Sequence, residues 1–198
     1  MDELESTVQK YVTNFCNILP IHVEKWRKLL EEASMPNKAL CNYAEQLRHV
    51  EKADIEYIEN FTELQGKLKF KIFMEMEDEM KCLRNVIDRL NQANQVLKNK
   101  LSILEKSSND LNWESDSSLL TGTALQPPLT KVLQEGLTFW RFFSNAMNSI
   151  NENFKNVNVR DEKAMTTLEK CFQLDLEHEQ LLSFLALTQY VNNNKAVI

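Results

Sequence analysis

A nearly continuous apolar stripe is the feature of this sequence that most constrains its fold. Over thirty-two residues, side chains recur at alternating steps of three and four: Phe73, Met76, Met80, Leu83, Ile87, Leu90, Asn94, Leu97, Leu101 and Leu104. This period is typical of one face of an α-helix. Such a helix is roughly 48 Å long at about 1.5 Å per residue and cannot bury its stripe alone. It must lie along other long helices, in a bundle or a coiled coil.

Asn94 is the only polar member of the stripe. One interpretation is a solvated position near the end of the bundle, or a tolerated defect. The other is a polar residue that fixes the register of the packed helices, a role that asparagine has in coiled coils.

The chain is also poor in the residues that turns require. It has three glycines and four prolines among 198 residues. In average proteins, these two residue types together make up roughly 12% of the chain. A β-sandwich needs turn residues between its strands, and a phosphate-binding loop needs clustered glycines. Because Gly66, Gly122 and Gly136 lie far apart, both are excluded and the chain is predicted to be mostly helical.

The N-terminal part is predicted to form three helices separated by prolines. Pro20 suits the first turn of the second helix, which should stop before Pro36. Asn37 is then the expected N-cap of the third helix. We expect a break at Asp54, and a short helix over Ile55–Leu64.

Residues 106–126 break every period and are rich in Ser, Asn and Asp. Loops of this length are usually functional or disordered. Trp113 is unusual in such a linker, so we expect it either to dock back on the bundle or to contact a partner. The predicted division is residues 1–105 (N-terminal helices and the long helix), the linker 106–126, and residues 127–198 (C-terminal helices packing on the same bundle).

Pro127 and Pro128 should start a second long helix. Its expected buried positions again alternate by four and three: Leu129, Leu133, Gly136, Trp140, Phe143, Met147, Ile150 and Phe154. Asp161 is the expected cap of a shorter helix, and a final helix follows before Asn192. The sequence therefore predicts an all-α fold, an elongated helical bundle with two long heptad-patterned helices.

No pattern of catalytic or metal-ligating residues is found. His22, His49 and His178 each lack a second histidine at i+3 or i+4, and the four cysteines form no CxxC pair. Nucleophile-elbow, phosphate-loop and kinase signatures are absent. We therefore predict no enzymatic activity, no cofactor and no metal. The net charge of −6 disfavours broad nucleic-acid binding, and the acidic N-terminus is unlike a signal peptide, which favours a soluble intracellular protein.

The aromatic segment of the second long helix is the strongest candidate for binding. Leu137, Phe139, Trp140, Phe142 and Phe143 cover an arc of roughly 220° on a helical wheel. A helix packed on one side needs a stripe only somewhat wider than about 100°. The wide arc indicates burial on two sides, either entirely by the chain's own helices or partly by a second protein. We expect alanine at Trp140 or Phe143 to weaken folding, and Phe142→Ala mainly to weaken partner binding.

Several separated segments together resemble the AIRIM family of ribosome maturation factors. The matching residues run in order along nearly the whole chain: Trp26, Ala44-Glu45-Gln46-Leu47, Glu63-Leu64, Leu68, Lys71, Leu125-Gln126-Pro127 and Glu177-His178-Glu179-Gln180-Leu181. The prolines that the family has before its long helix are missing here. The nearest competitor is the kinase-interacting factor CINP, which shares the layout of a long helix, a linker and a proline-led helix.

The AIRIM resemblance implies a non-catalytic adaptor subunit. Such a protein pairs with a CINP-like helical subunit as a heterodimer and docks on AAA+ ATPases, which mature large ribosomal subunit precursors in the cytoplasm. The same assembly is also linked to chromatin replication, so the resemblance implies a nuclear location as well. The alternative is a structural coiled-coil subunit of a cytoskeletal or kinetochore assembly, which predicts a rod-like oligomer.

Overall fold

The chain is all-α, as the sequence predicts. A computed structural model describes residues 3–54 and 59–191, and this part of the chain contains no strand. Its six helices are α1 (Glu3–Lys52), α2 (Phe61–Ser108), α3 (Ser118–Thr121), α4 (Leu129–Lys155), α5 (Glu162–Cys171) and α6 (Glu179–Thr188).

The first helix differs from the prediction. The three expected helices form a single helix, α1, and neither Pro20 nor Pro36 ends it. Asn37 is not an N-cap, because it lies in the interior of α1. Its side chain is buried, and its Nδ2 donates to the backbone carbonyl of Glu169 at 3.4 Å. The two longest helices of the fold are therefore α1 and α2, rather than α2 and α4.

Packing explains why α1 continues through two prolines. A proline in a helix interior lacks one hydrogen bond and costs about 3 kcal/mol. Pro20 is exposed, so the carbonyl that it leaves without a partner can be hydrated. Buried residues stand on both sides of each proline, Leu19 and Val23 around the first, Ala33 and Leu40 around the second. The free energy gained by burying this face outweighs the cost of the two prolines in the helix.

The second helix is longer than predicted, and its stripe is largely confirmed. It begins at Phe61, so the end of the predicted helix Ile55–Leu64 is the first turn of α2, while residues 55–58 lie outside the described residues. Asn60, at φ 61°, stands before this turn and accepts hydrogen bonds from the amides of Glu63 and Leu64. Phe73 is the exception in the stripe, because it is exposed.

The predicted linker begins as helix and continues as an anchored loop. Helix α2 extends to Ser108, and the short helix α3 lies within the segment. Leu111 and Leu119 are buried and attach the segment to the core. Gly122 follows α3 at φ 84°, a conformation that favours glycine.

Two compact units make up the fold. Of the described residues, the first takes 3–27, 91–145 and 175–191, and the second takes 28–54, 59–90 and 146–174. Each has its own core, and α1, α2 and α4 contribute to both. In the first unit Trp26 is the largest fully buried side chain; in the second, leucines such as Leu40, Leu47 and Leu83 fill the interior.

Helices α4 and α5 begin where the sequence predicts. Helix α4 starts directly after Pro128, and the carboxylate of Asp161 accepts a hydrogen bond from the Lys163 amide at 2.9 Å, which caps α5. The buried face of α4 is confirmed in part. Leu129, Gly136, Phe143, Met147 and Ile150 are buried as predicted. Leu133, Trp140 and Phe154 are only half-buried, and Val132 and Phe139 are buried as well.

Gly136 gives a first testable prediction. A Cβ atom at this buried position would lie 2.8 Å from Cε1 of Phe15 and 3.3 Å from Cδ1 of Leu101. Because the Phe15 ring is fully buried and cannot move aside, we expect Gly136→Ala to lower the free energy of unfolding by about 1–3 kcal/mol despite the better helix propensity of alanine.

Gly66→Ala is the matched control, measured in the same urea titration. A Cβ at Gly66 would meet nothing within 4 Å, so the substitution should stabilise the chain by up to about 1 kcal/mol. Stabilisation by both substitutions would contradict the close approach at Gly136.

Candidate functional site

The aromatic segment of α4 is divided between core and surface within the first unit. Phe139 and Phe143 are buried, whereas Leu137, Trp140 and Phe142 are half-buried. Phe139 and Phe143 therefore hold the helix in place. Only the three half-buried side chains are accessible to a partner.

Four rings from α1 and α4 form the core of the site. The ring centroid of His22 lies 4.5 Å from that of Phe143 in an edge-to-face arrangement, and Trp26 lies 5.0 Å from Phe143. Phe139 is 5.2 Å from Phe143. Tilted and edge-to-face pairs at these distances are favourable beyond the area that they bury, so this cluster fixes α4 against α1.

A buried chain of hydrogen bonds joins three helices beside these rings. The indole Nε1 of Trp26 in α1 donates to Oδ1 of Asn94 in α2, at 3.0 Å. Nδ2 of Asn94 donates to the backbone carbonyl of Phe143 in α4, at 3.1 Å. Asn94 is 8% exposed, so the interpretation as a solvated position is wrong. Its amide connects specific positions of α1 and α4, the geometry that a register-fixing residue requires.

This hydrogen-bond chain predicts a loss of stability for Asn94→Leu. Leucine leaves the indole N–H of Trp26 buried without an acceptor, which should lower the free energy of unfolding by about 1–3 kcal/mol. A double-mutant cycle with Trp26→Phe, followed by chemical denaturation, measures the coupling. Additive effects of the two substitutions would mean that the indole N–H finds another acceptor.

His22 is an uncharged part of this core. Burial, followed by the nearby positive charge of Lys25, lowers the pKa of the imidazole from 6.5 to about 4. Its Nε2 has no hydrogen-bond partner among the described residues. The ring therefore serves as a packed, neutral aromatic and not as a proton donor near neutral pH.

The outer edge of the site combines aromatic rings with charged groups. Nζ of Lys98 lies 5.4 Å from the ring centroid of Trp140, within the range of a cation–π interaction. The Phe142 ring lies 5.9 Å from that of His178, which also caps α6 by accepting from the Gln180 amide. An apolar centre with a polar rim is typical of a protein-binding surface.

Trp113, the other predicted partner-binding residue, remains largely accessible. Its side chain is 44% exposed although Leu111, two residues earlier, is buried. The hydroxyl of Ser115 donates to the carboxylate of Glu5 at 3.4 Å, which ties the segment to α1. Trp113 is thus presented on a loop that is anchored at both sides.

Metal-holding clusters and the pKa values of buried thiols bear on what chemistry the described residues could perform. No cluster of three His, Cys, Asp or Glu side chains in this part of the chain could hold a metal ion. Burial raises the pKa of the Cys16 and Cys171 thiols to about 12 and also raises that of Cys41, so these sulfurs are poor nucleophiles.

No helix within residues 3–54 and 59–191 has the length and apolar character needed to cross a membrane.

Two contributors to the site were not predicted as site residues. Trp26 and His22 follow Pro20 in α1, and only the fold brings their rings against Phe143 of α4. The signal that could have identified them is the polar Asn94 in an apolar stripe, because a buried amide requires a hydrogen-bond donor from a neighbouring helix.

Comparison with known families supplies the context for this site. The family model for C1orf109-like ribosome biogenesis proteins matches residues 6–183. The match covers the helix with the aromatic segment and nearly the whole described chain. A search of the curated proteins found no match.

Proposed function

This chain belongs to the family of C1orf109-like ribosome biogenesis proteins, and on that premise we propose that it is a non-catalytic adaptor subunit of an AAA+ ATPase complex. The complex acts in the cytoplasmic maturation of large ribosomal subunit precursors. The chain contacts the pre-ribosomal particle only indirectly, and works both in the cytoplasm and in the nucleus.

The observation that carries this proposal is the division of the α4 aromatic segment. Phe139 and Phe143 are locked in the core, while Leu137, Trp140 and Phe142 beside them keep part of their surface accessible. Rigid aromatic side chains next to a well-packed core are what protein interfaces use as anchors. A CINP-like helical subunit that covers these three side chains would form a heterodimer with this chain.

The proposed role divides the labour between the two proteins. ATP is bound and hydrolysed by the AAA+ partner, and this chain contributes tethering. Trp113, exposed on its anchored loop, is the proposed contact to the second partner. The net charge of −6 disfavours direct binding to RNA, because phosphate neutralisation requires a positive surface.

Affinity purification of the tagged full chain from its native cells tests this role. We expect an AAA+ ATPase and a CINP-like protein in near-stoichiometric amounts. Phe142→Ala should reduce recovery of the CINP-like protein. Leu182→Ala is the control, since Leu182 is an accessible apolar side chain of the same unit, 44% exposed, but lies on α6. Recovery of no ATPase from wild-type material would refute the adaptor role.

A further inference from the structure

The N-terminal part of α2 exposes an apolar stripe in the second unit. Phe70 is 68% exposed, Met74 47% and Phe73 40%. Together with Gly66 they lie within an arc of about 100° on the helix. We call Gly66, Phe70, Phe73 and Met74 the α2 stripe. It points away from the buried side of the helix, which carries Ile72.

Phe73 contacts the fold itself, because the guanidinium carbon of Arg160 lies 5.8 Å from its ring centroid, whereas Phe70 and Met74 are the more exposed members of the stripe. Single exposed apolar side chains are normal, but a contiguous group that includes two phenylalanines marks an interaction site. Met74 follows Phe70 by one turn, so the two side chains are neighbours along one line of the helix.

A groove continues from the stripe. It has a volume of about 470 Å³ and lies between α2 and the segment that joins α4 to α5. Its lining is mostly apolar, with Phe73, Met76, Met80, Val157 and Val159, but includes Glu77. Phe73 belongs both to the stripe and to the groove. A side chain of a partner that lies along the stripe could therefore insert here.

Gly66 supports the approach of another helix. A Cβ at this position would meet nothing within 4 Å, and the backbone has no positive φ. The fold of the described residues therefore does not require glycine here, although glycine disfavours a helix interior. A second helix that crosses at Gly66 would require it, because the missing side chain allows close backbone approach.

Charge complementarity identifies the partner's chemistry. Lys67, Lys69 and Lys71 flank the stripe, in a chain whose net charge is −6. Lys67 has one ion pair, with Glu63 at 2.6 Å. Lys71 has none among the described residues. An occupant with carboxylates beside its apolar side chains would pair with Lys71 and compete with Glu63 for Lys67.

A broad anionic surface fits less well. The next turns of α2 carry Glu75, Glu77, Asp78 and Glu79, which a membrane of anionic lipids or a nucleic acid would meet with repulsion. A narrow helix that crosses α2 near Gly66 can pair with the lysines, and of these carboxylates only Glu77 lines the groove that its apolar side chain enters.

We propose that the α2 stripe is a docking site for an acidic amphipathic helix of another protein. Its apolar side chains cover Phe70 and Met74, one of them enters the groove beside Phe73, and its carboxylates pair with Lys67 and Lys71. The site is independent of the aromatic face of α4 and of the identity of the ATPase.

Photo-crosslinking from Phe70 tests this site. The full chain carrying p-benzoylphenylalanine at position 70 is expressed in its native cells, irradiated, and its adducts are sequenced by mass spectrometry. The control has the same group at Ile103, which is exposed on the same helix. We expect position 70, and not position 103, to capture a segment with net negative charge and apolar residues at helical spacing. Adducts only with a second copy of this chain, with lipid, or with segments that lack negative charge would overturn the proposal.

Binding of the captured segment, made as a synthetic peptide, completes the test. We expect the double variant F70S/M74S to bind about thirty-fold more weakly, and K67E/K71E about ten-fold more weakly with a reduced dependence on salt. Gly66→Gln should weaken binding without loss of helical content. The matched variant V96S/I103S, also at exposed positions of α2, should bind like the wild type.

Equal affinity of all four variants would overturn the site. Recovery of an AAA+ ATPase in that case would leave the adaptor role intact, and a confirmed α2 site without any ATPase would refute only the adaptor role.

Discussion

Replacing Phe143 by alanine is expected to lower the free energy of unfolding by about 3–5 kcal/mol. The ring is fully buried, and its centroid lies 5.0 Å from that of Trp26 and 4.5 Å from that of His22. Alanine would leave a cavity among rings that cannot collapse onto it, because hydrogen bonds and helix backbones hold them. Urea denaturation followed by tryptophan fluorescence measures the change.

The adjacent Phe142 is the matched control for this substitution. It is half-buried, with contacts to the rings of Phe143 and His178. We expect Phe142→Ala to cost clearly less stability and to weaken binding of the CINP-like partner. Equal loss of stability for both variants would mean that the whole aromatic arc is internal core, and the proposed binding face would be wrong.

Acidification should destabilise the chain through His22. The folded state holds the pKa of this imidazole at about 4, against 6.5 for the free side chain. Between these two pH values the unfolded chain binds a proton that the folded chain does not, so stability falls as pH falls. The contribution is fully present above pH 6.5, and the difference in pKa corresponds to a loss of about 3 kcal/mol by pH 4.

The variant His22→Leu isolates this effect from the titration of carboxylates. Leucine cannot be protonated and also removes the buried Nε2 that has no partner among the described residues. We expect the free energy of unfolding of the wild type to drop more steeply between pH 6.5 and pH 4 than that of the variant. Parallel curves would show that the folded core accepts the imidazolium.

The sequence predicted most of the helical architecture. The heptad positions of α2 are buried from Met76 to Leu104 except for the half-buried Met80. The pair Pro127–Pro128 precedes α4, and Asp161 caps α5. These features depend on local periodicity and on short-range hydrogen bonds, which the sequence displays directly. The resemblance to AIRIM is confirmed as well, because the matching family model describes the same family. Its AAA+ and CINP-like partners stay predictions.

Prolines were the main source of error. Pro20 and Pro36 have the local signature of helix boundaries, yet α1 passes through both. Helix propensity describes an isolated segment. The stability of α1 in the folded chain comes instead from burial of its apolar face against α2 and α4. No sequence window contains that contribution, since the contacting residues are far apart in the chain.

The candidate binding residues show the same limit. A helical wheel could show that the apolar arc of α4 was too wide for packing on one side. It could not show which side chains of the arc are buried and which are accessible. Trp140 was predicted as a buried position, but it is half-buried, and Phe139 is buried beside it. Phe73 was predicted to be buried and is exposed on the α2 stripe.

The sequence by itself determined the fold class, the position and period of α2, the start of α4 and the family. Each follows from patterns among residues that are close in the chain or from the order of motifs along it. Only the tertiary structure decided that α1 is continuous, that Asn94 is a buried link between Trp26 and the Phe143 carbonyl, and which aromatic side chains reach the surface. Those outcomes depend on which side chains of distant helices pack against each other. A hydrogen bond between helices, or an exposed face, is defined only once folding has brought the helices together.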